Sequence, residues 1–193
     1  MNFLAHTFLS CQDEELLTGN FMADFISNNE AKNLKPQLLS GVHLHKKIDS
    51  FTDQHDGVRD SIKLLRPSQG KYSPVVVDIL FDYFLTKNWA SYSNENMRLF
   101  TDRVYNILLN NQPFFPERLK DLLPKMIDDD FLMSCSNEDR LRKTFERVKR
   151  RAKFDNNFDK VHIDLAKYHD IMDSHFNYFF PHLIAHINEC QDG

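Results

Sequence analysis

The sequence predicts an all-α protein, folded as one domain over residues 1–193 with about eight helices. Three observations carry this. Glycine and proline are scarce, 5 and 7 of 193 residues, about half of ordinary usage. Apolar residues recur with a helical period along nearly the whole chain. The remaining punctuation falls at segment ends, as caps and stops. Hydrophobic residues make up 41%, 17 of them Phe, enough for an aromatic-rich core at this length.

The elements follow in order. A short helix spans about Asn2–Ser10, and a second spans Asp13–Ile26, with Asp13 as N-cap before an acidic first turn. Pro36 opens a helix to about Asp53, since proline is tolerated at the first helical position. After Asp56-Gly57 a helix runs to Arg66 and stops at Pro67. Ser68-Gln69-Gly70 is a loop. Ser73 as N-cap and Pro74 at the first position start a helix to about Asn88, although Val75-Val76-Val77 alone would also suit a strand. Ser93 caps a helix to about Asn110, and Pro113 and Pro116 bracket a turn before one carrying Leu119, Leu122, Leu123 and Met126. Ser136-x-x-Asp139 resembles a capping box before a basic helix to Lys153. The last helix runs from Phe158 to Ile187, with a kink expected at Pro181.

Composition excludes several function classes. With 24 Lys and Arg against 28 Asp and Glu, net charge makes no global case for nucleic acid. Three dispersed cysteines (Cys11, Cys135, Cys190) without a C-x-x-C make no disulfide framework and fit a reducing compartment. The richest apolar stretch, Val75–Leu85, is interrupted by Asp78 and Asp82 and is too short to span a bilayer. The N-terminus carries no basic leader, so a soluble, cytoplasmic protein is expected. A Gly-rich phosphate loop, a G-x-S-x-G elbow and a reactive-cysteine setting are all missing, which disfavours serine or cysteine nucleophiles.

Polar groups in apolar surroundings carry the functional signal. The Pro74–Asn88 segment is apolar nearly all round, yet Asp78 and Asp82 project from one face, one turn apart. Buried carboxylates need a cation or strong donors, so either Arg or Lys from a neighbouring helix or a metal ion meets them. In the preceding helix His45, Asp49 and Asp53 follow at i, i+4 and i+8 beside Val42, Ile48 and Phe51. Imidazole and carboxylate suit Mn²⁺, Mg²⁺, Fe²⁺ or Zn²⁺, and an aspartate commonly orients a ligating histidine. His6 sits among Phe3, Leu4, Ala5, Phe8 and Leu9, and Asn20 and Asp24 stand at i, i+4 in another apolar run. Each alone reads as a satisfied core group. Together, inward His and Asp groups from four helices are how bundles build metal sites.

Two charged regions remain. Between Arg140 and Lys153 stand eight cations and one acid, Glu146. That run is either a solvated face or a docking surface for something anionic. Phe145 is its only aromatic, which argues against single-stranded nucleic acid. The C-terminal histidines (His162, His169, His175, His182, His186) lack an H-E-x-x-H pattern and are assigned to packing and surface.

Four motifs in order resemble the acyl carrier protein phosphodiesterase family: Met1-Asn2-Phe3-Leu4-Ala5-His6, Gly19-Asn20-Phe21-Met22-Ala23-Asp24-Phe25, Gly41-Val42-x-Leu44-His45-x-x-Ile48-Asp49-x-Phe51-Thr52-Asp53, and Asp78-x-x-x-Asp82-x-Phe84-Leu85. Arg150-Arg151 and Phe179-Phe180-Pro181 also look similar, so the resemblance spans nearly the whole chain. Tyr83 departs from it, standing where a histidine is expected. The resemblance implies an HD-like helical bundle that hydrolyses the phosphodiester joining 4′-phosphopantetheine to a serine of holo-acyl carrier protein, a small acidic helical protein. It further implies a divalent ion, Mn²⁺ first, with Mg²⁺ or Fe²⁺ as substitutes. The implied ligands are His6, Asp24, His45 and Asp78. Asp49, Asp53 and Asp82 are then placed behind them or as general base, and Asn20, Arg147, Arg150 and Arg151 on the side of the substrate or partner. Neither nucleic acid nor membrane is expected as a partner. The alternatives are a metal-dependent phosphohydrolase acting on a nucleotide or other small phosphate ester, and a non-catalytic helical binding module.

Overall fold

Helices form where residues able to cap them meet apolar periodicity. The computed structural model describes residues 3–192, so the expected start of the first helix at Asn2 lies outside the described residues. Among the described residues there are eleven α-helices and no strand. They are α1 Phe3–Phe8, α2 Glu14–Met22, α3 Asn28–Ala31, α4 Pro36–Gln54, α5 Asp56–Gln69, α6 Ser73–Lys87, α7 Trp89–Tyr92, α8 Met97–Asn110, α9 Glu117–Asp128, α10 Glu138–Arg151 and α11 Val161–Asp192. None is long and apolar enough to cross a membrane. Val75-Val76-Val77 is helical, within α6.

Asp13 caps α2 as expected, its carboxylate accepting from the Leu16 N–H at 2.7 Å. Four other boundaries differ from the sequence reading. Ser73 lies inside the first turn of α6, where its hydroxyl donates to the Gly70 carbonyl, because a 3₁₀ turn from Gly70 runs straight into the helix. Asn96 rather than Ser93 caps α8, and Asn137 rather than Ser136 caps α10; asparagine is at least as good a cap, and it stands next to the apolar run. Pro67 does not stop α5. It removes one backbone bond near the helix end, while the Ser68 hydroxyl and the Gln69 amide both donate to the buried Asp164 carboxylate, at 2.8 and 2.6 Å, and hold the following residues in place.

Contacts divide the chain into two compact units. One contains Phe3–Ser50 and Trp89–Met133, the other Phe51–Asn88 and Ser134 onward. In the first unit, α2 and α4 touch backbone to backbone. A Cβ on Gly19 would stand 2.0 Å from the Leu38 carbonyl oxygen, and one on Gly41 would stand 2.3 Å from that of Leu16 and 2.6 Å from the Asn20 nitrogen. Phe3, Phe21, Phe25 and Phe131 cluster around this crossing with ring centroids 5.5–6.2 Å apart, a spacing typical of aromatic pairs.

In the second unit, Phe81, Phe84, Phe176, Phe179 and Phe180 are fully buried. Three polar contacts tie α5 to α11: the ring nitrogens of His55 and His182 at 3.1 Å, the Ser61 hydroxyl and His175 at 2.9 Å, and the Asp164 contacts above. Their descending register makes the two helices antiparallel. The imidazole of His55 also caps α5, accepting from the Gly57 N–H through Nδ1. That leaves its proton on Nε2, facing Nδ1 of His182. His186 stacks on Phe51 at 4.7 Å. The C-terminal histidines His175, His182 and His186 thus serve packing and hydrogen bonding.

Two predictions follow from these contacts. Gly41→Ala puts a methyl against backbone that cannot rotate away, so the two helices must separate; overpacking of this kind costs about 1–3 kcal/mol. Chemical denaturation should show a clear loss, and an unchanged midpoint would contradict the close approach. Burial, then His182, holds the His55 pKa below its ordinary value of 6.5, with Asp56 opposing. The unfolded chain therefore takes this proton first. The stability is fully present above pH 6.5 and is lost as pH falls towards the lower folded value. His55→Asn keeps a capping acceptor and removes the titration, so its thermal midpoint should fall less than that of the parent chain between pH 7.5 and 5.5.

Candidate metal centre

Two imidazoles share one amide. Asn20 is fully buried on α2, and its side-chain oxygen lies 3.0 Å from Nδ1 of His6 and 3.1 Å from Nδ1 of His45. The Asn20 backbone oxygen adds a second acceptor for His45 at 3.0 Å, and the Asn20 amide nitrogen donates back to the His6 carbonyl at 3.0 Å. These acceptors put the proton of each ring on Nδ1. The rings stack with centroids 4.1 Å apart. Both Nε2 atoms therefore turn to the same place, and that place is lined by carboxylates.

Asp49 spans the pair. One of its oxygens stands 3.2 Å from Nε2 of His6, the other 3.2 Å from Nε2 of His45. Asp24 adds an oxygen 3.3 Å from Nε2 of His45. Among the described residues, donor atoms of His6, His45 and Asp49 all lie within 4.8 Å of one another. The imidazoles form a buried floor, and the two carboxylates form a half-open rim with side chains 45% and 54% exposed.

Electrostatics differ between the two rings. Burial, with the nearby His45, holds His6 below its usual range despite Asp49. Its Nε2 is buried and has no hydrogen-bond partner, since with the proton on Nδ1 a lone pair faces the Asp49 carboxylate, which has no proton to give. Burial also opposes charge on His45, but bonds to Asp24 and Asp49 overrule it and lift its pKa to about 9. The His45 bond in turn lowers the pKa of Asp24, and the two histidines hold that of Asp49 well below the usual carboxylate range, although burial works the other way. Without an ion, then, His45 carries a proton on Nε2, His6 is neutral, and both carboxylates are ionised. Two imidazole nitrogens and the Asp49 carboxylate lie close enough together to suit a divalent ion of borderline or hard character, with Asp24 beside His45. The lone pair left on His6 Nε2 fits that reading.

Of the residues singled out in the sequence, the structure brings together His6, Asp24, His45 and Asp49. Asp49, expected behind the ligands or as a base, stands among the donor atoms. Asn20, expected to face the substrate, is corrected: it has no exposed surface and orients the two rings. Asp53 follows one turn along α4 and is exposed. Asp78 and Asp82 lie on α6 in the other unit, outside this donor group. Asp78 is half-buried and Asp82 buried, and neither carboxylate is without a partner. Cys135, whose pKa is raised first by burial and then by the Asp82 charge, lies near it. Arg147, Arg150 and Arg151 are exposed on α10. The role of Asn20 has a sequence trace only in its position next to Gly19 and four residues before Asp24.

The comparisons agree on one family. A family model described as acyl carrier protein phosphodiesterase matches residues 1–183. The chain is similar to acyl carrier protein phosphodiesterases of Escherichia coli. It is 27% identical over 186 residues to that of strain CFT073, covering 95% of this chain and 96% of that one. Against those of strains SMS-3-5 and 55989 it is 27% identical over 187 residues, covering 96% of each chain. No solved structure matches.

A ligating His45 must give up its Nε2 proton, so metal binding at pH 7 should release about one proton. Calorimetric titration with Mn²⁺ in two buffers of different ionisation enthalpy measures this directly. Affinity should rise roughly tenfold per pH unit from about pH 6 towards 9. A pH-independent affinity across that range would contradict the described protonation of His45. Asn20→Ala should weaken binding about 10–100-fold, as expected when a partner that orients a ligand is lost.

Proposed function

Since the chain belongs to the acyl carrier protein phosphodiesterase family, we propose that it hydrolyses the phosphodiester joining 4′-phosphopantetheine to a serine of holo-acyl carrier protein. Water supplies hydroxide to phosphorus, the bond from phosphorus to the serine oxygen breaks, and that oxygen leaves with a proton. The products are apo-carrier protein and 4′-phosphopantetheine. One observation supports a metal-dependent route more than any other: two imidazoles, held on their Nδ1 sides by a single amide, turn both Nε2 atoms towards ionised Asp49.

In this reading His6, His45 and Asp49 hold a divalent ion, Mn²⁺ first, with Asp24 at the rim. When bound, such an ion lowers the pKa of a water and offsets charge on the phosphoryl oxygens and the departing serine oxygen. The chain's own groups do the rest. Asn20 keeps both rings in the ligating tautomer, and the buried floor excludes water from the imidazole side.

The test is incubation with holo-acyl carrier protein and Mn²⁺, with and without chelator, followed by protein mass. Loss of the phosphopantetheine mass, abolished by chelator, is the expected result. His45→Ala and Asp49→Ala should each lower turnover more than about a hundredfold, beyond the range for an outer partner, while the helical circular dichroism is kept. Removing a carboxylate held mainly by a cation can leave the metal-free fold as stable as before or more so. Turnover that persists in both variants, or in chelator, would rule out the metal route. Cleavage of a small phosphodiester with the holo-carrier protein left intact would rule out the substrate.

A further inference from the structure

The helix α10 separates its charges by face. Leu141 and Phe145 are buried and set its rotation. On one side Glu138, Asp139, Arg142, Glu146 and Lys149 rim a groove of about 620 Å³. The cations there are already matched, Arg142 with Asp139 at 2.5 Å and Lys149 with Asp159 at 3.4 Å. Lys143, Arg147, Arg150 and Arg151 stand at i, i+4, i+7 and i+8, so they form one stripe, and all four are exposed. The three acids of α10 all line the groove instead.

The plain reading of cations near a helix C-terminus is favourable interaction with the helix dipole. It covers Arg150 and Arg151 in the last turn, but not Lys143, nearly two turns earlier.

Resting on the function proposed above, we propose that this stripe is the docking face for the carrier protein, an acidic helical partner. A chain carrying 24 cations against 28 acids repels an acidic protein at long range. A local cationic stripe overcomes this, and such charges act mainly on the association rate. The groove side is not that face, because four acids, Glu138, Asp139, Glu146 and Asp159, outnumber its two paired cations.

The experiment compares two double charge reversals on the same helix with the same change in net charge. One is Lys143→Glu with Arg150→Glu on the stripe, the other Arg142→Glu with Lys149→Glu on the groove side. Steady-state cleavage of holo-carrier protein by the Mn²⁺-loaded enzyme is measured at about 0.05 and 0.5 M salt, across which screening shortens markedly. The stripe reversal should raise KM about tenfold at low salt, with kcat within about twofold, and should flatten the salt dependence. The groove reversal should change KM less than about threefold. Equal KM increases would mean that only net charge matters, and an unchanged KM in the stripe variant would overturn the docking face outright. A fall in kcat accompanied by loss of bound Mn²⁺ would assign the stripe to folding or to the metal centre instead, overturning it as well. If the parent chain releases no 4′-phosphopantetheine, the proposed function itself fails. Cleavage without a difference between the two reversals leaves that function standing and removes only the docking face.

Discussion

A single side-chain oxygen, that of Asn20, accepts from two imidazoles at once, and the geometry of the candidate metal centre depends on it. An amide oxygen has two lone pairs, and here His6 and His45 use both. Each ring is thereby fixed in orientation and in tautomer. Neither ring could ligate through Nε2 if its proton stood there, and a lone amide on a mobile segment could not hold both. Asn20 therefore has to be buried and immobile, and the helix packing supplies that. At Gly19 and Gly41 the backbones of α2 and α4 meet without side chains between them, which brings the Asn20 backbone oxygen within 3.0 Å of His45. The two glycines are scarce residues used where close approach demands them.

The electrostatic arrangement follows from the depth of each group. Burying an uncompensated imidazolium is costly, so His6, with 3% of its surface exposed, remains neutral. His45 lies nearer the carboxylate rim and holds a proton there. The cluster therefore carries one positive and two negative charges, with a spare lone pair on its floor. A proton on His45 satisfies part of this set, and a divalent ion satisfies all of it. The same carboxylates that raise the His45 pKa are the groups that would bind the ion in its place, so proton and metal compete for one site.

Much of this architecture was legible in the sequence, for reasons that also mark the limits. The α class, the Asp13 cap and the Pro36 start depend on local chemistry, and the structure agrees with them. Boundaries at Ser73, Ser93 and Ser136 differed because neighbouring polar residues compete for the same cap, and tertiary contacts decide between them. His45 and Asp49 were readable as one stripe because a helix places i and i+4 together whatever surrounds it. His6 and Asp24 stood out as polar groups in apolar runs. Helical spacing shows which residues share a face, but not what that face meets. It therefore did not show that Asp49 would span the two histidines. The part played by Asn20 was hidden for a related reason, since it arises where two helices about 20 residues apart in sequence touch at glycines, a contact that leaves no periodic trace.

An acidic rim is an odd receptor for an anionic ester. Asp24 and Asp49 are both ionised, and the single proton on His45 leaves the cluster net negative. A phosphodiester approaching that rim is repelled by the groups that line it. Positive charge among the donor atoms removes the difficulty and at the same time gives the lone pair of His6 a partner. The donor set thus makes chemical sense as a receptor for phosphate only with a cation in it, and Asn20, two glycines and a buried floor keep that set ready to take one. On the proposed docking face the outer surface meets the same problem on a larger scale, since a chain with more acids than cations would have to attract an acidic protein. Under that proposal side chains alone would supply the attraction, with the acids of α10 lining the groove and the cations of the stripe exposed.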